Sequence, residues 1–356
     1  MRILHLPVNI ASIPSHTVRG LRHIGVDARG LMWVNIPSQS DDGLKVIELP
    51  SFRLPFPWIW RNSQWLFHYL KEVAWADIVH WYFGSPALPW GIDLKYVKAL
   101  NKPGVVEWLG SDIRIPEVEF RDNPYYANAF HNGYEYQIES LERSRLLQKR
   151  FTESGMASIA SIGMLPYLQE DISHQVYSVA QRIVVSDYFP VYPDPDISRP
   201  VVVHSPTAPF AKGTPTVIKV IDELKKRHLF EFRLIQGISR RETLQQIQGA
   251  DIFLDQFVVG NHGMAALEAM AFGKPVLCYI KPSMIDRYPS DFPIMNANQE
   301  NIGKVLEPLL DDGHLRNEIG KRSRAYVEKY HDAFKLAYQL IDIYRELIEK
   351  QRRCRP

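Results

Sequence analysis

The chain has 356 residues, which is enough for two domains of middling size, each with a hydrophobic core of its own. Hydrophobic residues make up 46% and charged residues 23%, close to globular averages, so the composition argues against a disordered or membrane-embedded protein. The formal net charge of +2 is too near zero to indicate nucleic acid as a partner. The two cysteines, Cys278 and Cys354, provide neither a disulfide framework nor a zinc spacing.

The N-terminus enters a strand pattern directly, without the long apolar segment and cleavage site of a secretory signal. No apolar run in the sequence is long enough to span a bilayer. From these two observations we expect a cytoplasmic protein.

Strand-like runs alternate with helical patterns through the first half of the chain, which is typical of a parallel sheet covered by helices on both faces. A helix is predicted to start at the cap Ser15 and to end near Gly25. A long polar helical stretch is predicted from about residue 134 to residue 151. The predicted strands of this half are residues 3–6, 31–34, 78–83 and 105–109.

A proline-rich segment separates this half from a second, similar array. Residues 189–200 contain four prolines and cannot continue a helix or a central strand, so we predict a stiff connector. The predicted organisation is a first domain at 1–190, a linker at 191–200, a second domain at 201–331, and a C-terminal helix with its tail at 332–356.

The second array repeats the alternation of strands and helices. Its predicted elements are strands at 201–204, 230–235 and 252–254, and helices at 215–227 and 240–248. The last helical pattern, at about 332–351, has a stripe of apolar positions at Ala333, Leu336, Tyr338, Leu340, Ile341, Tyr344 and Leu347.

Polar residues of the second array cluster where predicted strands end and helices begin. In open α/β sheets ligands bind at this edge, where helix N-termini offer free N–H groups and a partial positive charge to phosphates. The pattern therefore predicts a site for a phosphate-bearing ligand. Its residues are the Lys212-Gly213 turn, Asp255 and Gln256 after a strand, and the run from Gly263 to Glu268.

Taken together, the two arrays, the connector, the Lys-Gly turn and the run Glu-Ala-Met-Ala-Phe-Gly-Lys-Pro-Val resemble the retaining glycosyltransferases of the GT-B fold. The resemblance covers nearly the whole chain and is strongest over residues 201–280. Shorter matches at 1–5, 77–80 and 110–114 resemble bacterial enzymes that build surface polysaccharides. The residues that carry the strongest part are Gly263, Glu268, Ala269, Met270, Ala271, Gly273, Pro275 and Val276.

The resemblance implies an α/β protein of GT-B architecture, in which two Rossmann-like βαβ domains face a central cleft. It implies that the first domain binds an acceptor, that the second binds a nucleoside-diphosphate sugar, and that the C-terminal helix packs back on the first domain. Closure of the domains, with a hinge near Pro193, is expected to accompany catalysis.

By the same resemblance, Lys212 would contact the donor diphosphate and Glu268 would bind the ribose hydroxyls. A lysine beside Gly213 at the mouth of a helix suits a diphosphate that gains charge as its bond to the sugar breaks. A carboxylate can accept two hydrogen bonds from a vicinal diol. The structural alternatives are a solvated turn lysine and a glutamate that interacts with the helix dipole.

The chain departs from the family pattern near the sugar. The family usually has two glutamates with seven residues between them, and the first would fall on Gly260. We expect Asn261 and His262 to supply sugar contacts by hydrogen bonding instead. In the first domain, Leu109 stands where the family loop often presents a histidine.

A second departure concerns the diphosphate. The family usually has an arginine a few residues before the turn lysine, and residues 207–210 contain none. Binding would then rest on Lys212, Thr207 and Thr214, together with the backbone near Gly263 and Met264.

Two further pairs are candidates for contacts with the reacting groups. Asp112 and Arg114 follow a predicted strand, and they are the best catalytic candidates of the first domain. The alternative is a turn-capping aspartate with a paired arginine. Asp255 and Gln256 end a buried strand, and we expect a sugar or loop contact there, with a purely structural role as the alternative.

Histidines do not indicate a metal site. His80 and His262 are candidate metal ligands or general bases by residue type, but no Asp-x-Asp motif accompanies them and no spacing fits zinc. We therefore expect no required metal and no cofactor. His5 and His204 lie in strand-like runs, where core histidines with satisfied hydrogen bonds are the better interpretation.

The aromatic run at residues 52–67 is unusual for a surface loop. If exposed, it would form a patch that touches a lipid-linked acceptor or the bilayer interface, helped by Arg53 and Arg61. The alternative is a core helix with its lead-in loop. On the first reading the protein would be peripheral at the inner membrane face.

The leading hypothesis is a metal-independent glycosyltransferase that uses a UDP or GDP sugar and an acceptor that is a glycan, a lipid-linked sugar or a small molecule. A non-catalytic subunit that binds nucleotide sugars is the alternative suggested by the departures. A nucleotide-sugar epimerase would need paired carboxylates near the sugar, which the sequence does not identify. Nucleic acid is not an expected partner, and the sequence leaves the oligomeric state open.

Overall fold

The computed structural model describes residues 1–34, 36–48, 55–172 and 175–353, and it describes residues 55–61 by their backbone only. The strands are β1 (Arg2–Leu6), β2 (Asp27–Met32), β3 (Leu44–Val46), β4 (Ile78–Tyr82), β5 (Gly104–Trp108), β6 (Ala157–Ala160), β7 (Val176–Ser178), β8 (Val201–His204), β9 (Glu231–Leu234), β10 (Ile252–Leu254), β11 (Val276–Cys278) and β12 (Met295–Asn296). The helices are α1 (Ile13–His23), α2 (Pro55–Trp75), α3 (Ile92–Ala99), α4 (Pro116–Glu119), α5 (Pro124–His131), α6 (Leu141–Glu153), α7 (Pro209–Lys212), α8 (Thr214–Leu224), α9 (Arg240–Gln248), α10 (Met264–Ala271), α11 (Pro282–Ile285), α12 (Ile302–Asp311), α13 (Gly313–Tyr330) and α14 (Ala333–Arg353).

The chain forms two compact units whose segments alternate along the sequence. The first unit consists of Met1–Ile115, Glu139–Val184 and Ala333–Pro356, and the second of Pro116–Ile138 and Val185–Asp332. The domain limits proposed from the proline-rich segment remain a prediction. The structure adds that a stretch from the first half of the sequence belongs to the second unit.

The first unit contains a seven-stranded parallel sheet in the order β3-β2-β1-β4-β5-β6-β7. Its central strands β4 and β5 are buried along their whole length, as expected for a parallel sheet covered on both faces. Helices α1 and α14 pack together in the core of this unit, through residues that include Val18, Leu340 and Tyr344. The predicted strands of the first half therefore exist, although β2 starts at Asp27 and not at residue 31.

Two predicted helix starts in the first unit are wrong. Helix α1 begins at Ile13, and the Ser15 hydroxyl bonds the Asp42 carbonyl instead of capping the helix. Helix α6 begins at Leu141, because the Ser140 side chain accepts a hydrogen bond from the Arg143 N–H and caps it there. Residues 134–140, predicted to be helical, are not.

A buried ionic cluster fastens the C-terminal helix within the first unit. Glu107 on β5 accepts two hydrogen bonds from Arg182, at 2.9 and 2.5 Å. His80 on β4 lies between them and α14, with Nε2 3.3 Å from Glu107 Oε2 and Nδ1 2.7 Å from the Tyr344 hydroxyl. Burial would raise the pKa of Glu107, but Arg182 and His80 lower it to about 2. The ring of His5 lies 5.1 Å from that of His80 and is 2.9 Å from the Tyr82 hydroxyl through Nδ1, and both histidines are buried in the core.

The second unit contains a five-stranded parallel sheet in the order β12-β11-β10-β8-β9. Strands β8 and β10 and helix α9 have the predicted limits. Helices α8 and α12 pack on the sheet in the hydrophobic core of this unit, through residues such as Val217, Ile252 and Leu306. Cys278 is buried in β11, as its apolar run predicts.

The segment Pro116–Ile138 is joined to the rest of the second unit by apolar packing and by polar contacts. The Asn123 side chain donates to the Val258 carbonyl at 2.8 Å, and Lys281 forms ion pairs with Glu119 at 2.7 Å and Asp122 at 3.2 Å. The Lys281 and Glu119 side chains are buried, so this pair is screened little by water.

Within the described part of the chain, no helix combines the length and apolar character that crossing a membrane requires.

Candidate functional site

The carboxyl ends of β8 and β10 in the second unit bring together the residues of the predicted phosphate site. Lys212 ends the short helix α7, and Gly213 turns the chain into α8 with φ +77°, a conformation that favours glycine. A side chain at Gly213 would also lie 3.2 Å from Phe257 Cβ. The turn therefore places the lysine at the sheet edge where ligands of parallel sheets bind.

Asp255 fixes Lys212 in place. Its Oδ1 is 3.0 Å from Lys212 Nζ, and its Oδ2 accepts a 2.7 Å hydrogen bond from the Gly263 N–H. Burial alone would raise the pKa of Asp255, but the Lys212 charge and the Gly263 hydrogen bond hold it below its ordinary value. The carboxylate thus stays ionised, and it joins the turn lysine to the start of α10.

The start of α10 has the chemistry of an anion site. The first N–H groups of a helix have no intrahelical acceptor, and the helix dipole places partial positive charge there. A Cβ at Gly263 would lie 3.0 Å from Lys212 Nζ and 3.3 Å from an Asp255 oxygen. Glycine at this position therefore keeps the space between the ammonium group and the helix start open.

Thr214 has a structural partner, whereas Thr207 is exposed. The His204 ring contacts the Leu254 carbonyl through Nδ1 at 2.8 Å and the Thr214 hydroxyl through Nε2 at 2.9 Å. Burial lowers the pKa of His204 to about 4, so the ring is neutral at physiological pH. His204 is the core histidine expected from its strand, and it ties the start of α8 to β8 and β10.

Glu268 is the centre of a contact that sequence reasoning missed. Its Oε1 lies 2.7 Å from Arg240 Nη2 and accepts a 3.1 Å hydrogen bond from the Tyr188 hydroxyl. Arg240 Nη2 also lies 3.2 Å from the Tyr188 hydroxyl. These residues come from three separate segments, so no local spacing links them. The one available signal was Arg240 in the first turn of α9, where the helix dipole disfavours a cation.

Gly260, where the family pattern would place its first glutamate, has no room for a side chain. Its φ is +76°, and a Cβ there would lie 2.9 Å from Lys281 Cβ and 3.0 Å from Asn123 Nδ2. The Lys281 N–H also bonds the Gly260 carbonyl at 3.0 Å. The packing of this loop therefore excludes a carboxylate at residue 260. The charged side chain next to Gly260 is that of Lys281.

Asn261 and Gln256 shape the loop that follows. The Gln256 amide donates to the Asn261 carbonyl, and the Tyr288 hydroxyl donates to Asn261 Oδ1. The Asn261 Oδ1 also accepts the His262 N–H at 2.9 Å. Among the described residues no acceptor is found for Asn261 Nδ2, so this donor is available to a ligand.

The His262 ring is packed among aromatic rings. The centroids of Tyr288, His331 and Phe292 lie 5.6, 5.7 and 6.1 Å from it. Burial lowers the pKa of His262, and the nearby Asp255 charge only partly offsets this. The ring is therefore neutral, and a hydrogen bond is the contact that it could offer to a sugar.

The two catalytic candidates of the first unit are both engaged. The Asp112 carboxylate accepts backbone hydrogen bonds from Gly110 at 2.7 Å and Leu109 at 3.2 Å, while burial raises the pKa of Asp112 to about 6. Arg114 forms a 2.5 Å ion pair with buried Glu139, and its charge lowers the pKa of Asp112, against the larger opposite effect of burial. Their catalytic role remains a prediction.

The aromatic run is only partly within the described residues. Residues 52–54 and the side chains of residues 55–61, including Arg53 and Arg61, lie outside them. On the rest of α2, Trp65 is buried, whereas Phe67 is 64% exposed and Leu66 and Leu70 are about two-fifths exposed. The helix thus has both a core face and an exposed apolar face, and the proposed membrane contact remains a prediction.

Comparisons with known proteins show the fold. No protein-family model matches the sequence, and no curated protein matches it significantly. Among solved structures, sucrose-phosphate synthase from Thermosynechococcus elongatus matches with TM-score 0.69 and 12% identity over 98% of this chain and 100% of that one. The chain has the GT-B fold. WaaG, a GT-B glycosyltransferase of lipopolysaccharide biosynthesis, matches with TM-score 0.58 and 15% identity over 97% of this chain and 99% of that one.

A third GT-B structure has a ligand. HepE from Anabaena, solved with UDP and glucose, matches with TM-score 0.56 and 12% identity over 98% of this chain and 100% of that one. At these identities the likeness establishes the GT-B fold that the sequence predicted, with its two parallel sheets. It does not by itself transfer a ligand or a reaction.

Metal ligands are not grouped in the described GT-B chain: no cluster of three or more His, Cys, Asp or Glu side chains is found there. Metal independence remains an expectation from the sequence.

Proposed function

We propose that this protein is a glycosyltransferase that binds a nucleoside-diphosphate sugar in its second unit and transfers the sugar to an acceptor. One observation carries the proposal. On a GT-B fold, Asp255 bonds both the Lys212 ammonium group and the Gly263 N–H, and so holds a lysine next to the N-terminus of α10. Solved GT-B neighbours include HepE with UDP and with UDP-glucose, which supports a UDP sugar as donor. A GDP sugar is the second candidate.

Lys212 and the N–H groups at the start of α10 would stabilise the diphosphate as it leaves. Charge develops on the leaving oxygen, and fixed donors in a partly buried site stabilise it without reorganisation. Asp255 holds the lysine in position before the donor arrives. Thr207, Thr214 and Met264 complete the proposed diphosphate site. The hydrogen bond between Thr214 and His204 holds the start of α8 in place beside the Lys212-Gly213 turn.

Glu268 would bind the ribose. It is the fifth residue of α10, so it lies about 6 Å along the helix axis from Met264. A nucleotide that places its diphosphate at the helix start would then present its ribose near this carboxylate. Asn261 Nδ2 and His262 are the proposed donors to the transferred sugar.

The proposed reaction retains the anomeric configuration and needs no metal. The acceptor is a glycan, a lipid-linked sugar or a small molecule, and Asp112 and Arg114 remain the proposed contacts in the first unit. Measuring the anomeric configuration of the product by NMR, with and without EDTA, tests both statements. An inverted product or a loss of activity in EDTA would refute the corresponding part.

The first test is thermal unfolding with UDP, GDP, ADP, CDP and dTDP in turn. A nucleotide at a hundred times its dissociation constant stabilises the folded state by about 2.7 kcal/mol, which raises the midpoint. We expect a shift with UDP or GDP, abolished by Lys212→Ala because the diphosphate loses its ammonium partner. Lys219→Ala, at an exposed position on α8, is the matched control and should keep the shift.

A second candidate function is a nucleotide-sugar binding subunit without transferase activity. Gly260 favours it, because this position cannot carry the sugar-facing carboxylate of the related enzymes. The two functions differ in turnover. Release of nucleoside diphosphate from UDP-glucose or GDP-mannose in the presence of mixed acceptors supports the enzyme, whereas binding without release supports the subunit.

A further inference from the structure

Tyr188, Arg240 and Glu268 form a closed triangle of polar contacts in the second unit. The three distances are 2.7 Å from Arg240 Nη2 to Glu268 Oε1, 3.1 Å from the Tyr188 hydroxyl to the same oxygen, and 3.2 Å from Arg240 Nη2 to the Tyr188 hydroxyl. The Glu268 side chain is 10% exposed and that of Arg240 is 19% exposed. The contacts are therefore largely shielded from water, and a small part of each of these two side chains remains exposed.

The direction of each hydrogen bond follows from the donor groups. Arginine only donates, so the Tyr188 hydroxyl accepts from Arg240 and gives its own hydrogen to Glu268. Burial raises the pKa of Tyr188 well above its ordinary range, and the Glu268 charge adds to this, so the hydroxyl keeps its proton. Both donors thus point at one carboxylate oxygen.

In this arrangement one Glu268 oxygen, Oε1, accepts both hydrogen bonds, and the other oxygen, Oε2, accepts neither. Each carboxylate oxygen offers about two lone-pair positions, and Tyr188 and Arg240 fill those of Oε1. Across the described residues, no donor bonds Oε2. Two free acceptor positions on one oxygen match the two O–H donors of a vicinal diol.

The two partners are themselves held firmly. The Tyr188 carbonyl accepts a 2.6 Å hydrogen bond from Arg324, and its ring packs edge to face on Phe272 at 5.1 Å. Arg240 occupies the first position of α9, where the helix dipole disfavours a cation. The ion pair with Glu268 offsets this unfavourable interaction of Arg240 with the helix dipole.

We infer that Tyr188 and Arg240 are positioning residues that aim the free Glu268 oxygen at both hydroxyls of a ribose, so that the protein selects ribonucleotide over 2′-deoxyribonucleotide donors. The inference rests on the proposed function and makes it more specific. Loss of the 2′-hydroxyl leaves one acceptor position of a shielded carboxylate empty, which penalises the deoxy ligand. Tyr188 and Arg240 set the size of this penalty because they hold the carboxylate in one orientation.

The test is isothermal titration with UDP, GDP and their 2′-deoxy counterparts. For the wild type we expect the ribonucleotide to bind about tenfold more tightly or better, the effect of one hydrogen bond to a charged group. In Tyr188→Phe and Arg240→Gln the ratio of the two dissociation constants should fall about threefold or more. Arg241→Gln, at the exposed neighbouring position, should keep the wild-type ratio.

The outcomes separate this inference from the function on which it rests. If UDP or GDP binds but the ratio is unchanged in Tyr188→Phe and Arg240→Gln, Tyr188 and Arg240 are only structural and the inference is wrong. The same holds if the wild type binds both forms equally. If none of the nucleotides binds the wild type, both the function and the inference fail.

Folding of the variants does not decide the result. Arg240→Gln leaves a partly buried carboxylate without its ionic partner, whereas Tyr188→Phe removes one hydroxyl and keeps the ring against Phe272. The double variant Arg240→Gln with Glu268→Gln removes both charges together. It should bind both ribose forms with similar affinity, and a retained preference would contradict the role of Glu268.

Discussion

Gly260 has a left-handed backbone and tightly packed neighbours. Lys281 cannot move away from it easily, because its ammonium group is buried against Glu119. A carboxylate at residue 260 would meet both obstacles together. The absence of a glutamate at residue 260 therefore reflects the backbone conformation and packing of this loop. Replacing the glycine by glutamate alone would not restore the family pattern.

Replacing Gly260 by alanine tests this packing. Left-handed φ costs a residue with a Cβ about 1–2 kcal/mol, and forced close contacts add about 1–3 kcal/mol. Gly260→Ala should therefore lower the free energy of unfolding by at least about 2 kcal/mol in urea titrations. Gly237→Ala is the matched control: its φ is +69° but nothing lies within 4 Å of the added Cβ, so it should lose only the backbone contribution. Equal losses would contradict the packing argument.

Asp255 is predicted to make a sugar or loop contact, and its contacts within the protein are with the turn lysine and with the residue that precedes α10. Both of its oxygens are committed, one to Lys212 and one to the Gly263 N–H. A negative charge beside a diphosphate is unfavourable unless it is paired, so in the proposed function Asp255 would contribute to binding through the lysine that it orients. The sequence could predict the neighbours of Asp255 but not which of its groups would be free.

At the scale of elements, α14 is held to the first unit by an apolar stripe and by polar contacts, among which the hydrogen bond between Tyr344 and His80 is buried. The stripe predicted from the sequence is confirmed at Ala333, Leu340, Ile341, Tyr344 and Leu347, which are buried. It is wrong at Tyr338, which is 62% exposed. The Tyr344 hydroxyl reaches His80 on β4, and this histidine is in turn next to Glu107.

Removing the Tyr344 hydroxyl should destabilise the first unit. In Tyr344→Phe the buried His80 Nδ1 loses its partner, which costs about 1–3 kcal/mol for an unsatisfied polar group. Calorimetry should show a lower unfolding midpoint. Tyr338→Phe removes the same atom from an exposed position of the same helix and should change stability by less than about 0.5 kcal/mol. A wild-type midpoint for Tyr344→Phe would show that this contact contributes nothing.

Elements with a strong local signal were predicted well. Strands β8 and β10 are short apolar runs between turn residues, and α9 starts with the capping box of Ser239 and Glu242. The helix predicted from residue 134 failed because polar residues with helical spacing do not show where a cap lies. Ser140 decided that start by bonding the Arg143 N–H. Local patterns thus fix the existence of an element more firmly than its ends.

At the scale of the whole molecule, buried histidines make stability depend on pH. Burial lowers the pKa of His5, His80 and His204, the last to about 4. The unfolded chain therefore takes up protons near pH 6.5 before the folded chain does, and stability falls as the pH drops below that value. Glu107, with a pKa of about 2, extends the loss, since its stabilisation is present above about pH 4.5 and disappears below it.

We expect the free energy of unfolding to be highest above pH 7 and to fall on acidification to pH 5. His204 alone would contribute about 2 kcal/mol of this fall, at 1.36 kcal/mol per pH unit. Urea titrations from pH 7.5 to pH 4 measure it. His204→Gln should flatten the pH dependence, whereas His314→Gln, at an exposed position of α13, should not. A wild-type stability that is constant from pH 7 to pH 5 would contradict the prediction.

The candidate site was predictable in part, for a physical reason. Lys212, Asp255 and Gly263 each follow a strand of one parallel sheet, and the carboxyl ends of such strands share an edge. Tyr188 and Arg240 reach Glu268 only through tertiary packing, and no periodicity records that. Lys281 and Glu119 lie 162 positions apart in the sequence, so their ion pair was equally hidden.

The alternation of segments between the two units bears on how this protein could be divided or recombined. A fragment cut at the proline-rich segment would contain Lys281 but lack Glu119 and Asp122, and it would leave a buried ammonium group without its counter-charges. A graft of the second unit onto another protein of GT-B fold should therefore carry Pro116–Ile138 together with Val185–Asp332. The smallest fragment that retains the second unit therefore consists of two segments that are separated in the sequence.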